Sequence, residues 1–321
     1  MEQFTDRIAV VTGGGTGMGR ELVRQLSAEG CHVALCDVNE ATMAETVSLA
    51  EKEAPAGTRF ASFVADVSDE AQVQAFRDHV LSELATDHVH LVFNNAGIGG
   101  AGSFLTDDRA AWERTFGVCW GGVYNGCRTF LPLLVAADAG HLVNVSSVNG
   151  LWASIGPQTP HTAYSAAKFA VRGLTEALIT DLRVNAPHVQ AHVVMPGHIG
   201  TSIVLNSAAI HGRTPESLTA EDLAAMRETA ARSGVDTSGI SDDELRGFLQ
   251  VQGELFRDGA PTTAEQAATI ILDGVRAGRW RILVGDDARV LDERVRADPE
   301  QVYEQSFYEQ MTAAGGLRLS L

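Results

Sequence analysis

With 321 residues and 45% hydrophobic content the chain can bury a substantial core; it is long for one plain domain and short for two, so one domain with an elaboration is expected. Its 41 acidic against 24 basic residues give a formal charge of −17, which repels phosphate backbones and anionic lipid surfaces and argues against nucleic acid or membrane as a partner. No apolar run reaches the ~20 residues that span a bilayer, the opening Met-Glu-Gln-Phe-Thr-Asp-Arg is not a signal peptide, and Cys31, Cys36, Cys119 and Cys127 show neither a Cys-x-x-Cys pair nor zinc spacing, so a soluble cytoplasmic protein with reduced thiols and no metal is expected.

Short apolar, β-rich runs recur at 8–12, 32–36, 60–65, 89–93, 141–145, 191–195 and 281–284, with helical-period segments between them. Nearly continuous apolar strands alternating with helices indicate a parallel sheet covered on both faces. The expected fold is α/β, a doubly wound parallel sheet of about seven strands with its ligand crevice at the carboxyl ends.

Directly after the first run, Thr12-Gly13-Gly14-Gly15-Thr16-Gly17-Met18-Gly19 leads into a helical stretch at 20–29. A glycine-rich turn between strand and helix lets backbone N–H groups and the positive helix end approach a pyrophosphate that side chains would obstruct. The second strand ends in Cys36-Asp37, 18 residues past Gly19, where a carboxylate can bond both hydroxyls of an adenosine ribose and repel a 2′-phosphate. No Arg or Lys stands beside it at Val38 or Asn39, so NAD is expected over NADP.

Further along, Tyr164 and Lys168 stand four residues apart, and Lys168 and Lys52 are the only lysines among the 24 basic residues. Positions i and i+4 share a helix face, so a compact ammonium at 168 is expected to lower the phenol's pKa and to bond a ribose hydroxyl, as a planar guanidinium could not. Tyr164 would then exchange a proton near neutral pH. After Thr201 the alternation breaks into a polar, Ser/Thr/Gly-punctuated stretch, including Asp236-Thr237-Ser238-Gly239, before Thr263 opens the next periodic helix. Residues 202–262 are expected to form a mostly helical substrate lid, and 286–321 a charged, partly helical C-terminal extension at the surface or a subunit contact.

Taken in order, these motifs resemble the short-chain dehydrogenase/reductase family over roughly the first 200 residues. Thr12-Gly13-x-x-x-Gly17-x-Gly19 is similar to that family's cofactor turn, Asp66-Val67 to its adenine contact, and Asn94-Asn95-Ala96-Gly97 to the segment that steadies the central sheet beside the cofactor. Ser146-Ser147, Tyr164-x-x-x-Lys168 and Pro196-Gly197-His198-Ile199-Gly200-Thr201 complete the series. The resemblance implies a single Rossmann-type domain over 1–321 and an NAD-dependent oxidoreductase interconverting a secondary alcohol and a ketone. Tyr164 would be the general acid/base, Lys168 would lower its pKa and hold the nicotinamide ribose, and Ser147 would orient the substrate oxygen. Cofactor contacts are implied for Gly13, Gly15, Thr16, Gly17, Met18, Asp37, Val38, Asp66, Val67, Asn95, Ala96, Gly97, Val118, Tyr164, Lys168, Pro196, Gly197, Ile199 and Thr201, the last two reaching the carboxamide. A homodimer or homotetramer is implied as well. The small-molecule alcohol or ketone is expected to be hydrophobic or cyclic, from Leu151, Trp152, Val204 and Leu205. An NAD-binding regulatory or scaffold protein on this fold, and a lyase or epimerase of the same type, are the alternatives.

Two features depart from the family pattern. Within Phe116-Gly117-Val118-Cys119-Trp120-Gly121-Gly122, Cys119 occupies the position of an Asn that steadies a water chain from the lysine, and Asn125 lies on another side of the helix. A thiol is a weak donor and acceptor, so a less ordered relay is expected. Ser147 also precedes Tyr164 by 17 residues, about four more than usual. The extra length falls in 152–161, and Trp152, Ile155, His161 and His198 are candidates for the pocket wall.

Overall fold

In a computed structural model, which describes residues 3–100, 102–157, 159–232 and 236–313, all seven apolar runs become strands of one parallel sheet. The first half runs β1 (Ile8–Thr12), α1 (Gly17–Ala28), β2 (His32–Asp37), α2 (Glu40–Glu53), β3 (Phe60–Val64), α3 (Glu70–Glu83) and β4 (Leu91–Asn94). There follow α4 (Arg109–Phe116), a π-helical turn (Gly117–Gly121), α5 (Gly122–Ala136), β5 (Gly140–Val145), α6 (Thr162–Asn185) and β6 (Val189–Pro196). The remainder comprises β7 (Ile199–Gly200), α7 (Ile203–Ile210), α8 (Ala220–Arg232), α9 (Asp242–Asp258), β8 (Thr262–Thr263), α10 (Ala264–Arg276), β9 (Arg281–Val284), α11 (Asp286–Ala297) and α12 (Gln305–Ala313).

The strand order is β3-β2-β1-β4-β5-β6-β9. Winding proceeds outward in one direction from β1 and in the other from β4, so the crossovers diverge between these two strands and leave a crevice at their carboxyl ends. Side chains alternate across the sheet. Ile8 and Val10 pack with Phe76, Phe130 and Val171 of α3, α5 and α6 on one face, while Ala9 and Val11 pack with Leu22, Leu26 and Ile271 of α1 and α10 on the other. Both faces are therefore dry, which is why the strands read as largely apolar runs and why polar residues within them, such as Asn94, Asn144, His141 and His192, are paired with one another or with backbone.

Residues 202–262 leave the sheet as α7, α8 and α9, and Leu218, Leu223 and Leu245 form a small core of their own there. Ser241 and Glu244 cap α9 reciprocally, as Thr263 and Gln266 cap α10. The excursion is closed at its base, because Ile199 pairs with Thr262 and Gly200 with Thr263. The C-terminal helices turn an apolar face inward: Leu291, Val302, Phe307 and Met311 are buried against Val148 and Trp152. Residues 314–321 of the expected extension lie outside the described residues. Among the described residues no helix is long and apolar enough to cross a membrane.

Candidate active site

The glycine turn is folded tightly onto the end of β4. Gly13 has φ +66°, and a Cβ there would lie 2.8 Å from the Ala96 Cα; one at Gly19 would collide with the Gly13 carbonyl. Asn95 Nδ2 donates to the Thr12 and Gly13 carbonyls at 3.0 and 3.2 Å, and Thr12 Oγ1 accepts from the Asn95 and Ala96 amides at 3.0 and 3.1 Å. The neighbouring Gly15 carbonyl accepts from Arg20 Nη2 at 2.8 Å and from the Thr46 hydroxyl at 3.0 Å. Asp37 is held at the mouth by two amides, Gly15 N to Oδ2 at 3.0 Å and Asn39 N to Oδ1 at 3.1 Å.

Between these loops lies a cleft of about 230 Å³. Gly13, Thr16, Gly17 and Met18 line it from the turn, Asp37 and Val38 from beyond β2, and Asp66 and Val67 from beyond β3. Asn95, Ala96 and Gly97 line it from beyond β4, with Val118 of the π turn and Thr201 opposite. Asp66 is opposed by burial, yet bonds from Ser68 and Arg114 hold its carboxyl below the usual range. Sequence reasoning missed Asn39, Thr42 and Arg114, and also Ile203, Asn206 and Ile210 of α7. Asn206 Nδ2 donates to Thr16 Oγ1 at 3.0 Å, so α7 spans the cleft.

Six expected contacts do not line the cleft: Tyr164 and Lys168 stand beside it, and Gly15, Pro196, Gly197 and Ile199 are turned to other partners. Gly15 faces away because Asp37 and Thr42 occupy the space above it. Pro196 ends a buried strand, and Gly197 lies against the Asp287 carboxylate, which accepts from His198 N at 2.6 Å. The Ile199 side chain is buried in the core shared with α10.

Ser147, Tyr164 and Lys168 converge beside the cleft floor. Lys168 Nζ lies 5.3 Å from the Tyr164 ring centroid, donates to the Val145 carbonyl at 2.9 Å, and would sit 3.5 Å from a Cβ at Gly97. The Ser147 hydroxyl lies near the Tyr164 hydroxyl and favours its ionised form, and its Oγ accepts from Asn149 N at 3.1 Å. The His161 ring lies 4.8 Å from that of Tyr164, and burial takes its pKa down to about 4, leaving it neutral.

The expected lowering of the phenol by Lys168 is not what these residues produce. Part of the Tyr164 ring remains accessible, but its surroundings are as dense as the interior. Burial pushes the phenol up, Cys119 adds to this, and only the nearby Ser147 hydroxyl opposes it. Burial also lowers the proton affinity of Lys168. Cys119 is fully buried on the π turn, donates to the Ile98 carbonyl at 3.1 Å, and has its thiol pushed up by burial. Asn125 instead donates to the Val67 carbonyl at 2.9 Å.

Most of the expected pocket wall is elsewhere. Trp152 is fully buried beneath the C-terminal segment, and Leu151 packs with Val193 and Met195. His198 turns toward α9, donating from Nε2 to the Phe256 carbonyl at 2.7 Å with the rings 4.3 Å apart. Val204 and Leu205 face a second cavity between α7 and α9, because Ile203, Asn206 and Ile210 take the cleft-facing side of α7. Among the described residues no His, Cys, Asp and Glu cluster could hold a metal.

A family model described as short chain dehydrogenase matches residues 7–210. The chain is 34% identical over 316 residues to an oxidoreductase named SadH from Mycobacterium tuberculosis, covering 98% of this chain and 97% of that one. It is 34% identical over 211 residues to the levodione reductase of Leifsonia aquatica, covering 64% and 74%. A crystal structure of a Burkholderia phymatum short-chain dehydrogenase/reductase in complex with NAD aligns with a TM-score of 0.73 and 30% identity, over 94% of this chain and 96% of that one.

Proposed function

Since the chain belongs to the short-chain dehydrogenase family and is an oxidoreductase of that family, we propose that it transfers a hydride between NAD(H) and a secondary alcohol or ketone, with Tyr164 as general acid/base. The observation that carries this reading is the convergence of Ser147, Tyr164 and Lys168, the last of them against Gly97, next to a cleft that Gly97 and the glycine turn both line. A dinucleotide fits the residues present. The turn has no room for a Cβ at Gly13 or Gly19 and offers free backbone at the amino end of α1, which suits a pyrophosphate. The Asp37 carboxylate, pinned by two amides, suits ribose hydroxyls and disfavours a 2′-phosphate. The NAD-bound relative and the levodione reductase support the cofactor and the substrate class.

A nicotinamide bound here supplies the hydride acceptor or donor and, when oxidised, a positive charge near the phenol. Ser147 Oγ accepts from Asn149 N, which leaves its one proton for the Tyr164 oxygen or, once substrate is bound, for the substrate oxygen. Lys168 spends one of three N–H donors on Val145 and keeps two for a ribose hydroxyl. Tyr164, held protonated by burial, gives its proton to a ketone oxygen directly, whereas alcohol oxidation requires its prior ionisation. The excursion 202–262 acts as a substrate lid on this reading, since α7 is tied to Thr16 through Asn206 and to Gly99 through Ser207.

The test is NADH absorbance during incubation with 2-butanol, cyclohexanol and 1-phenylethanol, run in parallel with NADP. Turnover is expected with at least one alcohol and a higher kcat/KM for NAD; a preference for NADP would overturn the cofactor assignment. Tyr164→Phe should lower kcat by roughly a hundredfold or more while NADH binds as before. Full activity in that variant would remove Tyr164 from the chemistry.

A further inference from the structure

The turn that begins at Ser147 is long, and its first half is held by the C-terminal segment. Trp152 Nε1 donates to the Val302 carbonyl at 2.8 Å, and its ring lies 5.4 Å from Phe307 and 5.3 Å from Tyr308. Ala153 N donates to the Tyr303 hydroxyl at 3.3 Å, and the Ser154 and Tyr308 hydroxyls are bonded at 3.0 Å. Inside the turn, the buried Asn149 side chain donates to the Trp152 carbonyl at 3.2 Å and the Ser154 carbonyl at 2.8 Å, while its own amide donates to Ser147 Oγ. Bonded contacts thus run without a break from residues 302–308, through 152–154 and Asn149, to the Ser147 hydroxyl, which lies near Tyr164.

We propose that the segment 299–313 is a positioning element of the active site: Val302, Tyr303 and Tyr308 fix the 148–154 turn and thereby the Ser147 hydroxyl. This rests on the oxidoreductase reading given above. The added length between Ser147 and Tyr164 and the presence of the C-terminal segment then have one explanation. Residues 152–154 form the seat for the segment, and without it Trp152 would be uncovered and Asn149 would lose the ordered carbonyls that hold it. Misplacing a reacting group by about 1 Å can cost on the order of a hundredfold in rate, even when the change lies far from the chemistry. The glycine turn and Asp37 are not in this chain of contacts, so cofactor binding is spared.

Two variants test this. Tyr303→Phe/Tyr308→Phe keeps the rings and removes both hydroxyls; a chain ending at Asp298 removes the segment. Three measurements are made on each: the Kd for NADH by fluorescence, kcat and KM with the best alcohol of the panel, and amide hydrogen exchange. Expected results are a kcat lower by about fivefold in the double variant and about a hundredfold in the shortened chain, with the NADH Kd unchanged within about twofold. Exchange should quicken at 149–156 and stay as it was at 8–12 and 32–37. Wild-type kcat and protection at 149–156 in the double variant would overturn the proposal, as would a parallel loss of NADH affinity and turnover. Should the shortened chain fail to fold, the double variant decides. If instead Tyr164→Phe keeps full activity, the oxidoreductase reading fails separately, and exchange at 149–156 still shows whether the segment orders the turn.

Discussion

At the scale of single residues, the proposed function makes the phenol of Tyr164 the group that governs how the chemistry responds to pH. Burial and the neighbouring Cys119 disfavour its charged form, so the acid is retained as pH rises through neutrality and the base appears only under alkaline conditions. Alcohol oxidation at saturating NAD should accelerate steadily from pH 7 to 10, whereas ketone reduction should stay level across that range. Initial rates in both directions across that range check this; an oxidation rate independent of pH would show that another group takes the proton. Much at this scale was legible in the sequence. A carboxylate after the second strand, glycines before a helix and a Tyr-x-x-x-Lys pair are types demanded by local chemistry, so Asp37, Gly13 and Lys168 could be singled out once spacing was joined to the family resemblance, and the fold brings Asp37 and Gly13 to one cleft with Lys168 beside it. The sign of the phenol's shift was not legible, because it depends on how many atoms surround it, which spacing does not encode.

At the scale of elements, α7 does work that its sequence hides. Ile203-Val204-Leu205 is apolar without a break, so no periodicity told which side chains meet the cleft and which meet α9. The fold resolves it: Ile203, Asn206 and Ile210 face the cleft, and Val204 and Leu205 face the second cavity. Asn206 bonds Thr16 across the mouth, and a typical hydrogen bond contributes about 1 kcal/mol net. Asn206→Ala should therefore weaken NADH binding about three- to tenfold, chiefly through faster dissociation in stopped-flow displacement. An unaltered dissociation rate would mean that α7 does not retain the cofactor. The seven sheet strands were readable as apolar runs because both faces of the sheet are dry. The two-residue β7 and β8 and the π turn at Gly117–Gly121 were not, since such short departures leave no repeating pattern to detect.

For the whole molecule, the amino ends of the central strands carry a group of buried histidines remote from the chemistry. His141 Nδ1 and His192 Nε2 are 2.9 Å apart, and His192 Nδ1 donates to the Arg279 carbonyl at 2.7 Å, so His141 is the donor of the pair. His90 accepts from Ile8 N at 3.1 Å. Burial holds His141 at about 3 and both His90 and His192 at about 4. A depressed histidine gives stability that is complete above its unfolded pKa near 6.5 and is lost as pH falls toward the folded value. Each fully uncharged histidine can cost about 1.4 kcal/mol per pH unit, less for the half-enclosed His90. Thermal melts should therefore show Tm falling steeply between pH 6.5 and 4, and His141→Gln/His192→Gln should flatten the decline; equal slopes would place the acid lability elsewhere.

The pairing of Ile199 with Thr262 and of Gly200 with Thr263 has an evolutionary corollary. Because departure and return points sit side by side, the stretch between them is a pendant whose length and composition can drift without altering the register of any sheet strand. On the function proposed above, selection can thus retune what is accepted by rewriting α8 and α9, while α7 keeps its wall of the cleft and the glycine turn, Ser147, Tyr164 and Lys168 stay as they are.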